Sequence, residues 1–433
     1  MSKKALSLLI SGIASNQGKT TITACLAHKL KKDGFKVQVF KIGPDFLDPQ
    51  ILEFASGHHV KQLDMWMVGD MDCSRLLHEA YISMDYILIE GVMGLYDGKP
   101  STADLALAFN IPVIAVIDAR AMSGSFAALT YGLANYNNKI NLCGVIANRI
   151  ASKHHLNLIQ SCDFKGIKFL GGIEENSEIA INSRHLGLLQ ANEISDLDTK
   201  LNLGIKSIEQ YNLIDCFEPV EFRKNPPVKT YPESLKNIKI GIAHDLAFSF
   251  LYSQNISVLE KLGAKIVYFS VLNDEELPSI DSLFLPGGYP ELYLSKLEKN
   301  KNMQESIIKH YQINKKIYAE CGGMLYLMET LTDINGKTAK LTGIIPGQAV
   351  MQGKISSLGY QELQTSYGNI RGHTFHYSQS KINLQPLALA KYPNKDIPGE
   401  ALYKINSLIA TYCHFYFDSN IDFTASLFTP NTI

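Results

Sequence analysis

At 433 residues, 46% of them hydrophobic and 19% charged, the chain exceeds one ordinary core and has the balance of compact globular domains, not of a disordered or coiled-coil protein. Lys and Arg total 41 against 42 Asp and Glu, which leaves no excess positive charge to hold nucleic acid or an acidic membrane surface. The seven cysteines (Cys25, Cys73, Cys143, Cys162, Cys216, Cys321 and Cys413) are scattered, odd in number and without a close pair, so they read as reduced and mostly structural.

Residues 1–15 imitate a secretory leader, because Lys3 and Lys4 precede a short apolar run. That run continues directly into a glycine-lysine-threonine loop that needs it as a base strand, and a leader is rejected. No apolar run approaches the roughly 18 residues of a membrane span, so the cytoplasm is the expected address. Strands are predicted at 6–10, 37–41, 86–90, 113–118 and 142–148. A helix over 20–32 carries apolar Ile22, Leu26 and Leu30 and ends in lysines before Gly34. The alternation predicts an α/β fold: a doubly wound parallel sheet covered by helices.

Between the first strand and that helix lies Gly12-Ile-Ala-Ser-Asn-Gln-Gly18-Lys19-Thr20. Backbone N–H groups and a helix N-terminus converge there on an anion. ATP is the expected ligand, held by Gly12, Gly18, Lys19, Thr20 and Thr21; Lys19 would neutralise the β and γ phosphates and the Thr20 hydroxyl would bind Mg2+. Five residues separate the two glycines, one more than the usual phosphate loop has. Two acidic segments follow later strands: Asp45 and Asp48 after the second, Glu90 and Asp97 after the third. Ligands gather beyond the carboxyl ends of strands in an open parallel sheet. Asp45 and Glu90 are therefore expected on the metal and Asp48 and Asp97 near the substrate, although acids in such loops also cap turns.

Prolines among charges mark 215–237 as a linker, which divides the chain into an ATP-binding domain at 1–214 and a second α/β domain at 238–433. Strands are predicted there at 238–243, 266–269 and 282–285, the last running into Pro286-Gly287-Gly288-Tyr289-Pro290-Glu291. In Ile317-Tyr-Ala-Glu320-Cys321-Gly322-Gly323 a strand breaks into a helix with cysteine at the corner. Such a corner exposes the sulfur, and the helix N-terminus is expected to lower the thiol pKa. The N–H of Gly322, with Gly288 as a second donor, could hold an oxyanion. Three histidines, His373, His376 and His414, could serve as the base, and residue types alone do not choose among them.

The segments 40–49, 63–67, 89–98 and 184–188 resemble the cobyrinic acid a,c-diamide synthases, with an ATP domain of the dethiobiotin synthetase type. Gly287-Gly-Tyr-Pro-Glu291, Ala319-Glu-Cys-Gly-Gly323, Gly372-His-Thr-Phe-His376 and the His414 region resemble the class I glutamine amidotransferase half of those enzymes. The resemblance implies a second doubly wound domain, Cys321 as nucleophile and His414 as its base, with His373 and His376 in a motif of unassigned role. Tyr416 stands where other glutaminases place a third, acidic member, Phe46 where tyrosine is common and Ala121 where glycine is common. It further implies glutamine-dependent, ATP-driven amidation of the a and c acetates of cobyrinic acid through acyl phosphates, with ammonia moving internally between domains. Implied partners are ATP, L-glutamine and cobyrinic acid or a related tetrapyrrole, with a homodimer left open and neither nucleic acid nor membrane. Nickel sirohydrochlorin a,c-diamide synthase is similar across both domains, and a partitioning-type nucleotide switch would share the phosphate loop.

Overall fold

The computed structural model describes residues 4–181, 183–184, 187–222 and 228–430. The chain divides into two compact units, Met1–Val228 and Lys229–Ile433. The first opens with β1 (Leu6–Gly12), α1 (Lys19–Lys32), β2 (Val37–Lys41), α2 (Asp48–Ser56), β3 (Lys61–Gln62), α3 (Asp70–Ser83) and β4 (Tyr86–Glu90). It continues through α4 (Thr102–Ala108), β5 (Val113–Asp118), α5 (Gly124–Asn135), β6 (Leu142–Ile150), α6 (Lys153–Gln160) and β7 (Phe169–Glu174). The short β8 (Ser183–Arg184) and β9 (Gly187–Leu188), then α7 (Leu197–Ile208) and β10 (Glu218–Pro219), close it.

Its main sheet runs β3-β2-β4-β1-β5-β6-β7, all parallel, and β10 adds antiparallel to β1. Leu8, Leu9 and Ile10 are all buried, a continuous apolar run that suits a strand covered on both faces. Ile22, Leu26 and Leu30 of α1 pack with Leu8, Ile10 and Leu88 in one core. The helix begins at Lys19, one residue before the sequence-based start, because Gly18 sits in the left-handed region (φ 94°) and turns the chain into it. Strand order reverses on either side of β1, and this switch point brings the carboxyl ends of β1, β2 and β4 together.

The second unit begins with β11 (Lys239–Ala243), α8 (Ser253–Lys261), β12 (Lys265–Phe269), β13 (Ser282–Leu285), α9 (Leu294–Lys299), α10 (Lys301–Gln312), β14 (Lys316–Glu320) and α11 (Gly322–Tyr326). Then follow β15 (Met328–Thr332), β16 (Thr338–Lys340), β17 (Ile345–Met351), β18 (Ser357–Thr365), β19 (Gly368–His376), β20 (Ser378–Ile382), β21 (Ala388–Lys391), β22 (Pro398–Ile405), β23 (Leu408–Thr411), β24 (His414–Phe415) and α12 (Ile421–Phe428). Its larger sheet runs β12-β11-β13-β14-β23-β22-β21-β18-β19-β24, parallel from β12 to β23 and antiparallel beyond. A smaller sheet, β16-β15-β17-β20, lies apart. Phe284, Tyr318, Phe417 and Phe428 form an aromatic centre to the core behind β13 and β14.

Within 215–237, Glu218–Pro219 forms β10 against β1, and Lys229 and Tyr231 hold Asp418 at 3.0 and 2.9 Å. Pro226 and Pro227, His185 and Leu186, and the side chains of 182–188 lie outside the described residues. No helix among the described residues is long and apolar enough to cross a membrane.

Candidate functional site

In the first unit the phosphate loop is braced from the neighbouring strands. The Gln17 side chain accepts from the Asp118 N–H at 2.8 Å, and Asn148 and Arg149 donate to the Gln17 and Asn16 carbonyls, each at 2.8 Å. A Cβ on Gly12 would meet the Val116 carbonyl at 2.7 Å, and one on Gly18 the Asn148 amide nitrogen at 2.1 Å, so both positions require glycine. Lys19 turns back into the loop, its Nζ donating to the Ala14 and Met93 carbonyls at 2.7 Å. Burial, with Lys41 adding repulsion, brings this ammonium down to about 8 despite the pull of Glu90. Thr21 faces a cavity of about 380 Å³ lined also by Gly18, Asn148, Arg149, Glu175 and Ile179.

Beside the loop lies a knot of charge. The Thr20 hydroxyl donates to Glu90 Oε1 at 2.7 Å, and Lys41 Nζ lies 2.6 Å from Asp48, 3.0 Å from Glu90 and 3.7 Å from Asp45. Burial alone would lower the Lys41 pKa; Asp48, Glu90 and Asp45 together hold it above the usual lysine range. Burial and the adjacent Asp48 push the Asp45 carboxyl up to about 7, whereas Lys41 overcomes burial to hold Asp48 below the carboxylate range. Burial raises Glu90, which is fully enclosed. Thr20, Asp45, Asp48 and Glu90 therefore share one locus, and Lys41, for which sequence reasoning found no role, is its centre. Asp97 does otherwise: its Oδ2 accepts from the Gly94 N–H at 2.9 Å and closes a turn. Asp64 of the 63–67 motif likewise caps a turn, accepting from the Trp66 and Met67 N–H groups.

In the second unit, Cys321 stands between β14 and α11 with φ 43° and ψ −108°, a left-handed corner that a Cβ residue adopts at a cost. Its N–H is fixed by the Thr411 carbonyl at 2.8 Å. Cys321 is 6% exposed, and burial, then Glu291, raise its thiol pKa well above the usual cysteine range, while the Gly322 N–H favours the thiolate. The expectation of a lowered pKa is thus corrected. The helix after Cys321 spans five residues, and burial outweighs what its N-terminus offers.

His414 lies on the same sheet, three residues past β23, the parallel neighbour of β14. A Cβ on Gly287 would sit 2.3 Å from His414 Cε1, so the imidazole rests on bare backbone. A Cβ on Gly322 would lie 3.0 Å from the Gly288 nitrogen, which puts the two candidate oxyanion donors side by side. Gly288 itself passes so close to Ala247 that a Cβ would meet that carbonyl at 2.1 Å. Glu320, directly before Cys321, brings Oε2 to 3.6 Å from His414 Nδ1, a neighbour that sequence order gave no reason to expect.

The other two histidines part company. His373 pairs across strands with His414, its ring stacked at 5.1 Å and 22°, and contacts the Tyr252 hydroxyl at 3.1 Å. Burial, then His414, hold its pKa well below the usual value, so it is neutral. His376 meets Glu400 at 3.0 Å and the Ser378 carbonyl at 2.9 Å, and stacks on Tyr412 at 3.8 Å. Tyr416 receives the Gln254 amide at 3.0 Å in a fully buried position.

Residues 8–188 match the model of the CobQ/CobB/MinD/ParA nucleotide binding domain, and residues 239–421 that of the CobB/CobQ-like glutamine amidotransferase domain. The chain is 45% identical to the hydrogenobyrinate a,c-diamide synthase of Pseudomonas aeruginosa, covering 98% of this chain and 97% of that one. It is 46% identical to the protein of the same name from Stutzerimonas stutzeri, over 99% and 100% of the two chains. To the cobyrinate a,c-diamide synthase of Herminiimonas arsenicoxydans it is 44% identical, over 98% and 96%.

Proposed function

Because the chain belongs to the cobyrinate and hydrogenobyrinate a,c-diamide synthase family, we propose that it amidates the a and c acetates of a corrin ring, taking nitrogen from glutamine and energy from ATP. One observation carries this reading: a single chain holds both a phosphate loop set against a carboxylate cluster and a strained cysteine corner whose preceding residue, Glu320, reaches a buried histidine.

Cys321 Sγ attacks the side-chain amide carbon of glutamine as His414 takes the thiol proton and passes it to the departing ammonia. The Gly288 and Gly322 N–H groups are the donors for the oxyanion. Water then cleaves the thioester, releasing glutamate and restoring the thiol. In the first unit an acetate oxygen attacks the γ-phosphorus of ATP and ADP leaves, with Lys19 balancing the phosphate charge. Ammonia adds to the acyl carbon, phosphate departs, and the amide nitrogen loses its proton. The cavity beside Gly18 and Thr21 is suited to the nucleoside.

The residues present fit Mg2+: Glu90 Oε2 is buried without a hydrogen-bond partner, and Thr20 and Asp45 supply further hard oxygens beside the loop. Thr20, Asp45 and Glu90 would hold the ion, which when bound draws charge from the phosphates. A partitioning-type nucleotide switch would leave Cys321 and His414 without a use.

Mass spectrometry of the product from cobyrinic or hydrogenobyrinic acid, ATP and glutamine tests the reading. The expected result is two successive mass changes of one amide each. No change with either corrin acid, and turnover with nickel sirohydrochlorin, would transfer the chemistry to that tetrapyrrole.

A further inference from the structure

When His414 accepts a proton it becomes a cation in a place water does not reach: the residue is 1% exposed. An uncompensated buried charge costs several kcal/mol, so something must face the imidazolium. Flanking its strand stand Cys413 and Tyr416, and Tyr416 is engaged by Gln254. From β19 the neutral His373 ring stacks on it, and from the loop after β13 it meets bare Gly287. From β14 comes Glu320, 2% exposed, with Oε2 at 3.6 Å from Nδ1.

The other oxygen of that carboxylate is already committed. Oε1 accepts from the Tyr318 hydroxyl at 2.7 Å and from the Phe415 N–H at 3.1 Å, the latter belonging to the residue after His414 itself. These two bonds fix the carboxylate plane and leave Oε2 facing the ring. At 3.6 Å the contact is electrostatic and not a hydrogen bond; a closure of well under 1 Å on protonation would make it one. Nδ1 is the ring nitrogen that faces Glu320.

We propose that Glu320 is the positioning residue for His414, holding the ring's orientation and balancing its charge as Cys321 is deprotonated. This rests on the glutaminase reading of the site. Glu320→Gln tests it, because the amide oxygen still accepts from Tyr318 and Phe415 while the charge is gone. Steady-state glutamine hydrolysis should lose about 10- to 100-fold in kcat with KM changed by less than about twofold. Amidation supported by ammonium reports that the chain is folded. An unchanged kcat, or a loss carried by KM, overturns the proposal. Placed on His414→Ala, the same substitution should add less than about threefold, since it acts through a ring no longer there; its full loss on that background also overturns it. If the glutamine variant does not fold, Tyr318→Phe loosens the same carboxylate and should lower kcat several-fold, an unchanged kcat counting against Glu320. Wild-type glutamine hydrolysis by His414→Ala alone would remove the reading of the site, and the proposal with it.

Discussion

Around the phosphate loop charge is held against charge. Lys41 sits among Asp48, Glu90 and Asp45, Lys19 caps two carbonyls, and each position depends on its neighbours' ionisation. The cysteine corner of the second unit is held by steric means: a left-handed φ at Cys321, an imidazole on a bare glycine, a backbone contact at Gly288 that admits no side chain. An electrostatic knot can re-pair when a charged ligand arrives, whereas a backbone corner is formed once, at folding. The first site is thus built to exchange partners and the second to keep its geometry.

Two substitutions separate the sites most sharply. Cys321→Ala should reduce glutamine-dependent amidation by about 1,000-fold or more and leave ammonium-dependent amidation within about twofold. Lys19→Ala should cost about 100-fold or more with either nitrogen source, since the role proposed for it is to balance phosphate charge. Product quantified with glutamine and with ammonium checks both, and rescue of Lys19→Ala by ammonium would take that lysine out of acid activation.

Lys41→Met breaks the electrostatic side of the comparison. It leaves three clustered carboxylates without their shared cation, and removing one partner of a buried ion pair costs about 3–5 kcal/mol. Urea unfolding of the first unit's transition should register that loss. A change below about 1 kcal/mol would mean the cluster rearranges or protonates at no penalty.

Glu291 sharpens the other side. It is buried near Cys321, and burial raises its carboxyl from 4.5 to about 7. A folded pKa above the unfolded one means that the native state holds the proton more tightly. There is no penalty below pH 4.5; the penalty grows as pH rises to about 7 and stays constant above. Glu291→Gln should therefore stabilise the second unit by on the order of 2–3 kcal/mol at pH 8 and by almost nothing at pH 4. Thermal unfolding at the two pH values checks this, and equal shifts at both would show that ionisation is not the cause.

What could be read in advance follows the same division. The predicted strands 37–41, 86–90 and 113–118 coincide with β2, β4 and β5, because strands buried on both faces are written largely in apolar and β-branched residues. The antiparallel strands β18 and β22 carry half-exposed, mixed residues, and no run marked them. Glycine-bounded loops pointed to Lys19, Cys321 and the acids. Lys41 and Glu320 escaped because their neighbours are set by register, Lys41 beside Glu90 across β2 and β4, and Glu320 beside Thr411 across β14 and β23. Sequence separation hides such pairs.

The smallest expected effect belongs to Asp97, which within the first unit is held by a tight turn and also carries charge. Its Oδ2 closes a turn on the Gly94 N–H, and Gly94 is itself confined, since a Cβ there would approach the Ile13 carbonyl to 2.5 Å. The carboxylate also adds to the field at Lys19. Asn keeps an acceptor oxygen for Gly94 and removes only the charge, so Asp97→Asn should change stability by less than about 1 kcal/mol and leave ATP affinity within a few-fold. Under the proposed function one phosphate loop cannot activate two acetates at once, so a monoamide is expected between rounds, and we propose that the charge beside Lys19 bears on how the second acetate is presented. The variant should therefore alter how much monoamide accumulates, or which one, more than it alters ATP binding. A time course by chromatography and mass spectrometry with limiting ATP reads this directly. A product profile identical to that of the parent chain would assign Asp97 to the turn alone, and diamide formed with no monoamide at any time would remove the need for release between rounds.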